Sequence, residues 1–245
     1  MILATKKKQP QWFDKEKQLD VKEYIQRIKQ KQPKRQEENS PTKKVVGINE
    51  KLLSYAGIHE RYADVSFNTL KIDGDIRENA KLVYNYSKNM SEYIKNGIGL
   101  ILAGGYGTLK TTLAVCILKE YINKGGYGLF IPMSSLMDNL YSMKAKNIDE
   151  WTMFEDRLRN TNLLVIDDLG GEDVNAPWVL QKVHSIITER YNRKKTIIIT
   201  TNLNKQELEN TYSGRLIDRL KSTNYYIAFN SPSQRKVMNI NDLKE

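Results

Sequence analysis

One glycine-rich segment ends in a lysine followed by a hydroxyl residue, the order that phosphate binding requires. It lies between an apolar run and a helix-like stretch and reads Gly104-Gly105-Tyr106-Gly107-Thr108-Leu109-Lys110-Thr111-Thr112. Such a loop turns backbone N–H groups and the positive end of a helix dipole towards the phosphates. Its lysine contacts the β- and γ-phosphates, and its hydroxyl ligates Mg²⁺. We therefore predict a nucleotide-binding loop in which Lys110 and Thr111 have these two roles.

The loop departs from the pattern GxxxxGK[ST] at one position. Leu109 precedes the lysine, where the pattern has glycine. A side chain there threatens both the backbone conformation and the close approach of a phosphate. We expect weakened nucleotide binding and slow hydrolysis, and a glycine-rich turn without any ligand remains the alternative.

Two adjacent acids end an apolar strand further along the chain. Asp167 and Asp168 close the run that begins at Leu163. Because buried carboxylates are costly, their position favours a role: Asp167 in the Mg²⁺ shell and Asp168 in polarising the attacking water. A strand that simply ends in solvent-exposed acids is the alternative. Asn202 follows the next strand, where an amide can orient the same water.

Three arginines occur late in the chain, at positions 215, 219 and 235. An arginine can neutralise the charge that develops on a transferring phosphoryl group, in its own subunit or in a neighbouring one. Salt bridging on the surface is the alternative for each of them.

The elements that must position these groups follow from hydrophobic periodicity. Helices are predicted from Ile76 to near Gly97, at 112–124 and at 179–193, with five short apolar strands between and after them at 98–103, 127–132, 163–167, 196–200 and 225–229. Strands that alternate with helices predict an α/β fold with a parallel sheet covered on both faces.

The first 44 residues form a separate, basic segment. Residues 1–50 hold 13 basic and 7 acidic side chains, a net +6 of the total +10. A short amphipathic helix is predicted around Val21–Ile28, and residues 32–44 have the composition of a linker. We predict an arm at 1–44 and a main domain at 45–245. The charge suggests a polyanion or an acidic protein as partner, and a merely solubilising lysine-rich tail is the alternative.

Several classes of protein are disfavoured by composition. No apolar run is long enough to span a membrane, and no secretory signal begins the chain, so a cytoplasmic location without membrane association is expected. One cysteine and two histidines provide neither an internal disulfide nor a zinc cluster.

Taken in order, these motifs resemble the AAA+ ATPases (P-loop, ASCE-type). Among them, the chain is most similar to the DnaC/DnaI type of bacterial or phage replicative helicase loaders and to the related IstB transposition helper ATPases. The resemblance covers roughly residues 47–240. It includes AGIHERYADVSF, the phosphate loop, LLVIDDLG, ITTNL, GRLIDRL and FNSPSQR.

This resemblance implies a fold and a role for each site residue. It implies a five-stranded parallel sheet flanked by helices, a minimal lid and a small helical N-terminal arm. Asn202 matches the first sensor, Arg219 the arginine finger and Arg235 the second sensor. ATP/ADP and Mg²⁺ are the implied ligands, and ATP hydrolysis is expected to be weak.

The resemblance also implies a function in replication initiation. Residues 1–44 would bind a hexameric replicative DNA helicase, which the protein would deliver onto single-stranded DNA, with self-association when ATP or helicase is bound. The family's DNA-contacting helix corresponds to about Ser134–Asp149, including Tyr141, Met143, Lys144 and Lys146. Two alternatives stay open: an IstB-like helper acting on duplex DNA, and a non-hydrolysing adaptor with a degenerate phosphate loop.

Overall fold

The computed structural model describes residues 50–235 apart from positions 73, 75, 147 and 172–176. For residues 50, 143–146 and 148 it describes the backbone alone. The predicted arm at 1–44 and the segment after Arg235, where a minimal lid is expected, lie outside the described residues.

A five-stranded, all-parallel sheet forms the centre of the domain. Its strands run in the spatial order β2-β3-β4-β1-β5, so β1 lies between β4 and β5. They are β1 (Gly99–Gly104), β2 (Gly128–Pro132), β3 (Leu163–Leu169), β4 (Thr196–Thr201) and β5 (Asn224–Phe229). Each of the five predicted strands is confirmed to within two residues at either end. The prediction is this close because parallel strands buried on both faces consist of continuous runs of apolar residues.

Helices surround this sheet and connect its strands. Before β1 lie α1 (Glu50–Tyr55), a 3₁₀ turn (Glu60–Tyr62), α2 (Ile76–Lys88) and α3 (Met90–Asn96); the connections between strands contain α4 (Lys110–Asn123), α5 (Met133–Lys146), α6 (Ile148–Asn160), α7 (Pro177–Asn192), α8 (Lys205–Thr211) and α9 (Gly214–Thr223). The helix predicted from Ile76 to Gly97 is two helices, since the chain breaks at Asn89 before resuming at Met90. Gly97 ends the second in the left-handed conformation that favours glycine.

Two apolar clusters fill the spaces between sheet and helices. Because successive strand residues point to opposite faces, Ile101 and Ala103 belong to one cluster, while Leu100 and Leu102 belong to the other. The first cluster packs the sheet against α5–α9, and the second packs it against α1–α4. Among the helices of the described ranges, none is long and apolar enough to cross a membrane.

Candidate nucleotide-binding site

The predicted phosphate loop joins the carboxyl end of β1 to the first residue of α4. In a parallel sheet the carboxyl ends of all strands meet at one edge, and β4 and β3 lie next to β1 in that order. This edge therefore brings together Lys110, Asp167, Asp168 and Asn202, which the chain separates by up to 92 positions. The sheet topology thus brings together the residues that the sequence analysis assigned to one site.

Two glycines of the loop allow close contacts with the C-terminal part of the described chain. Gly104 has φ 143°, and a Cβ there would lie 2.1 Å from the carbonyl oxygen of Phe229 on the neighbouring strand. Gly107 has φ 73°, and a Cβ there would lie 2.0 Å from the hydroxyl of Ser233. The N–H of Gln234 also donates to the Gly107 carbonyl, at 2.9 Å. The last described residues of the chain thus lie directly against the phosphate loop.

Leu109 occupies the conformation that a glycine would adopt at this position. Its backbone angles are φ 64° and ψ 11°, in the left-handed region, and its carbonyl accepts the first helical hydrogen bond from the Leu113 N–H at 2.9 Å. The leucine side chain is half-buried and packs against the second apolar cluster. The leucine therefore does not change the path of the loop into α4; instead, this one residue adopts a strained left-handed conformation.

Lys110 is buried among polar partners at the centre of the site. Its Nζ donates to the carbonyls of Gly104 and Gly105, both at 2.7 Å, and to Oδ1 of Asn202 at 3.0 Å. Burial lowers the pKa of this ammonium, and the nearby carboxylates of Asp168 and Asp167 oppose that shift. The lysine therefore forms a direct polar link between the phosphate loop and the end of β4.

Asp167 lies beside the loop threonine with which it is predicted to share a metal. The hydroxyl of Thr200 donates to Oδ1 of Asp167 at 2.6 Å, and the Thr111 hydroxyl also hydrogen-bonds to this carboxyl. Burial raises the pKa of the Asp167 carboxyl above its usual range, and the two hydroxyls partly counter this. A nearby cation would relieve the cost of burying the ionised carboxylate.

Asp168 owes its orientation to an irregularity at the end of β3. Its φ is 60°, and the pairing of β3 with β4 shifts in register between Ile166 and Leu169. The irregularity turns the carboxylate towards the amide of Asn202, which donates to it at 2.5 Å. Strain of this kind, fixed by neighbouring bonds, is often found where a side chain must be aimed.

The residues present fit a magnesium ion bound together with phosphates. Mg²⁺ is usually bound by one or two carboxylates, phosphate oxygens and water, so the adjacent oxygens of Thr111 and Asp167 are suitable ligands. No cluster of three or more histidine, cysteine, aspartate or glutamate side chains occurs in the described part of the chain. These oxygens therefore suit a metal that arrives with its nucleotide.

The three late arginines lie in different surroundings. Arg235 follows Ser233 on the segment that contacts the loop, and its charge contributes to lowering the pKa of Lys110. Arg219 lies in the middle of α9, with its guanidinium 5.7 Å from the ring centre of Tyr191. It lines a cavity of about 380 Å³ together with Lys194 and Lys195, which precede β4. Arg215 is exposed at the start of the same helix.

Arg219 is therefore at the edge of the sheet opposite the phosphate loop. Its cavity includes Gly97 before β1 and Thr223 before β5, so it lies at the amino ends of the strands. Strands of six residues separate the two edges by about 20 Å. This distance exceeds the reach of an arginine side chain, so Arg219 cannot act on the nucleotide site of its own chain.

Two further residues were not assigned individual roles from the sequence. Thr200 bonds both acids, since its hydroxyl donates to Asp167 and accepts from the N–H of Asp168 at 2.9 Å. Trp178 packs edge-on against Tyr141 with ring centres 4.4 Å apart. The position of Thr200 at a strand end could have been read from the sequence, whereas the aromatic pair joins α5 to α7 and has no local signal.

Comparison with known proteins agrees with this geometry. A model of the family described as IstB-like ATP binding protein matches residues 59–239. The replicative helicase loader DnaC of Buchnera aphidicola subsp. Acyrthosiphon pisum (strain APS) is 26% identical over 196 residues, which cover 79% of this chain and 78% of that protein.

Solved structures show the same architecture. The crystal structure of the DnaC helicase loader superimposes with a TM-score of 0.63 at 28% identity, covering 70% of this chain and 100% of that one. DnaA from Aquifex aeolicus, solved with bound AMPPCP, shares the fold with a TM-score of 0.54 at 19% identity, over 67% of this chain and 50% of that one.

Proposed function

Because this chain belongs to the family of IstB-like ATP binding proteins, we propose that it is an ATP-dependent loader that delivers a hexameric replicative helicase onto single-stranded DNA. Its domain has the AAA+ fold, and its relatives include replicative helicase loaders. The single observation that carries the ATP-dependent part of the proposal is the bonded chain from Lys110 through Asn202 to Asp168 at the mouth of the phosphate loop.

This chain of bonds supports a mechanism for sensing and hydrolysing ATP. When phosphates enter the loop, the ammonium of Lys110 exchanges the carbonyls of Gly104 and Gly105 for phosphate oxygens. Asn202, at the end of β4, is hydrogen-bonded to that ammonium, so a movement of the Lys110 ammonium alters this bond. We propose that Asp168, whose carboxylate accepts a hydrogen bond from the Asn202 amide, accepts the proton of an attacking water.

Thr111 and Asp167 are the residues that would hold Mg²⁺ in the loaded site. The ion would neutralise charge on the β- and γ-phosphates. Thr200 fixes the carboxylate of Asp167 from the side of β4. Arg235 is proposed to add positive charge at the phosphates of its own subunit, since the N–H of the preceding residue, Gln234, donates to the Gly107 carbonyl of the loop.

Arg219 is proposed to complete the site of a neighbouring subunit. Its place at the opposite edge of the sheet from Lys110 supports this role, since it cannot reach its own nucleotide. A subunit packed with this edge against the next subunit's loop would supply the arginine there. Self-association in the presence of ATP or helicase follows from this arrangement.

Helicase binding is assigned to the arm at residues 1–44, and DNA contact to the α5–α7 surface. The arm's net charge and predicted amphipathic stripe support the first assignment. Tyr141 and Trp178 support the second, because they are 56% and 36% exposed and form an aromatic pair on which bases could stack. The side chains of Met143, Lys144 and Lys146, expected in the same contact, lie outside the described residues.

An IstB-like role on duplex DNA is the second candidate, favoured by the description of the family itself. Both roles use the same nucleotide site, so the geometry at Lys110 does not distinguish them. The non-hydrolysing adaptor is a third outcome, which Leu109 makes worth testing. The experiment must therefore separate partner, DNA form and turnover.

The test is a loading assay with the host's replicative helicase and a single-stranded DNA circle, which has no end to thread. We expect ATP and this protein together to increase the helicase retained on the circle after gel filtration. Lys110→Ala should abolish the increase, whereas Lys124→Ala, an exposed lysine just past the end of the same helix, should not. Helicase retention that is independent of this protein refutes the loader role, and ATP-dependent filaments on duplex DNA would favour the second candidate.

A further inference from the structure

The cavity at the amino edge of the sheet gathers three cations. Its volume is about 380 Å³, and its charged lining residues are Lys194, Lys195 and Arg219. Among the described residues that line it, none is acidic, and no described carboxylate forms an ion pair with any of the three cations. Cations gathered without counter-charges repel one another, so such a cavity favours an anionic ligand.

A neighbouring buried arginine adds to the positive field of this cavity. Burial lowers the pKa of the Lys195 ammonium, and the charges of Arg190 and Arg193 lower it further. Arg193 is offset by Glu189, with which it forms an ion pair at 3.0 Å. Arg190 is fully buried and donates to two backbone carbonyls, and within the described ranges no carboxylate pairs with it. The cavity thus has one more uncompensated cation behind it.

The turn between α7 and β4 holds Lys194 in an unfavourable backbone conformation. Its φ is 51°, at the position after a helix where glycine is usual. The Lys195 N–H donates to the Arg190 carbonyl at 2.8 Å, and a Cβ at Gly97 would lie 3.0 Å from the Lys194 carbonyl oxygen. This turn is therefore fixed from both sides. A strained lysine kept beside a cavity indicates that its charge has a function there.

The mouth of the phosphate loop, at the opposite edge of the sheet, becomes anionic when it binds nucleotide. Asp167 and Asp168 are the two carboxylates near Lys110, and Arg235 is the second cation there, so the four charges balance without nucleotide. Mg²⁺-ATP adds net negative charge, because its triphosphate carries more charge than one Mg²⁺ neutralises, and Mg²⁺-ADP adds less. The charge of the mouth therefore reports which nucleotide it holds.

We propose that the cavity receives the nucleotide-loaded mouth of a second copy of this chain, with Lys194 and Lys195 acting beside Arg219. The inference rests on the proposed ATP binding and adds two residues to the role proposed for Arg219. Cavity and loop lie at opposite edges of one sheet, so the contact is head-to-tail and each copy uses its neighbour's mouth. Because only a loaded mouth is anionic, the lysines select a neighbour that holds ATP over one that holds ADP or no nucleotide.

Analytical ultracentrifugation of the full-length protein tests this selection with Mg²⁺-AMPPCP, Mg²⁺-ADP and no nucleotide. We expect self-association to be strongest with AMPPCP. Replacing both lysines, Lys194→Gln with Lys195→Gln, keeps the length of the side chains and removes their charges. This double variant should self-associate about tenfold more weakly or worse, whereas Lys124→Gln, an exposed lysine after α4, should behave as the unmodified protein does. Unchanged association of the double variant overturns the proposal.

Mixing two defective variants tests whether cavity and mouth act in different copies. Lys110→Ala keeps the cavity but cannot load its mouth, whereas the double variant loads its mouth but lacks the two lysines. With AMPPCP, each alone should stay monomeric, and the mixture should form one-to-one dimers that grow no further, because only one complete interface is possible. A mixture that stays monomeric overturns the proposal.

Lys194→Gly separates this role from a structural one and does not depend on the double variant folding. Glycine relieves the left-handed strain, so the thermal transition should stay level or rise while AMPPCP-dependent association weakens. A lower transition with unchanged association would show that Lys194 serves the fold alone.

Two further outcomes would also overturn the proposal. The double variant could lose binding of single-stranded DNA instead of self-association, which would make nucleic acid the partner of the cavity. The unmodified protein could bind AMPPCP without self-associating. If it does not bind AMPPCP at all, the proposed ATP-dependent function itself fails, which is a distinguishable result.

Discussion

Replacing Leu109 with glycine tests how this protein tolerates a leucine in its phosphate loop. A non-glycine residue in the left-handed region costs about 1–2 kcal/mol, and Leu109 is held there at φ 64°. Its half-buried side chain returns roughly 1 kcal/mol by packing on the apolar cluster. Glycine removes both contributions and adds about 0.5–1 kcal/mol of lost chain entropy.

Leu109→Gly should therefore have a free energy of unfolding within about 1 kcal/mol of the unmodified protein, by summing those contributions. Leu109→Ala keeps the strained backbone but loses the packing, so it should be destabilised by roughly 1 kcal/mol. The expected order places glycine level with or above alanine, the reverse of their order in an ordinary helix. Urea unfolding of the three proteins measures it.

The effect on ATP binding should be small. The strain is already present in the loop without nucleotide, so a loop that keeps this conformation pays nothing more when phosphates bind. We expect the affinity of Leu109→Gly for a fluorescent ATP analogue to lie within about threefold of the unmodified value, or roughly 0.65 kcal/mol. The motif alone predicts instead a tightening of about tenfold or more, or roughly 1.4 kcal/mol.

A tenfold gain in affinity would show that the leucine obstructs phosphate, and the reasoning from its packing would be refuted. Lys110→Ala provides the reference for a lost site. No binding by the unmodified protein or by Leu109→Gly would show that the site is vestigial.

Three further predictions concern the assembly, the metal and the arm. Arg219→Ala should leave the nucleotide affinity of the monomer nearly intact but reduce ATP-dependent self-association or cooperative hydrolysis by about tenfold or more. Arg215→Ala, at the start of the same helix, should reduce neither. Loss of nucleotide binding by the Arg219→Ala monomer would show instead that Arg219 acts in the nucleotide site of its own chain. Asp167→Asn should abolish the Mg²⁺-dependent part of ATP affinity yet raise the free energy of unfolding at pH 7.5, because burial raises the pKa of this carboxyl and its ionised form destabilises the fold. Because the pKa of Asp167 is raised, lowering the pH should protonate it before an ordinary aspartate, so the Mg²⁺-dependent affinity should begin to fall at a higher pH than a free carboxyl would give. A pH profile of the affinity that matches a free carboxyl contradicts this. Deleting residues 1–44 should abolish helicase binding in a pull-down while the ATPase domain keeps its thermal transition, and unchanged helicase affinity would remove the arm's assigned role.

Much of the fold follows from local pattern. The strands at 163–169 and 196–201 are apolar throughout because they are buried on both faces, so their positions could be predicted closely. Parallel topology then places the residues at the ends of these strands at one edge of the sheet, which is why the sequence alone groups Asp167, Asp168 and Asn202. The break at Asn89 has no signal in the sequence, because the apolar spacing continues on either side of it.

The sequence determined which chemical groups the site contains, because residue types and strand order are local properties. Only the tertiary structure decided how those groups are held: the left-handed Leu109 packed on a distant cluster, the bulge that aims Asp168, and the place of Arg219 at the far edge of the sheet. The ammonium of Lys119, in α4, donates to the carbonyls of Tyr62, Ala63 and Val65, which lie 54 to 57 positions earlier in the chain. Contacts between such distant segments depend on the packing of the whole domain, so no local pattern encodes them.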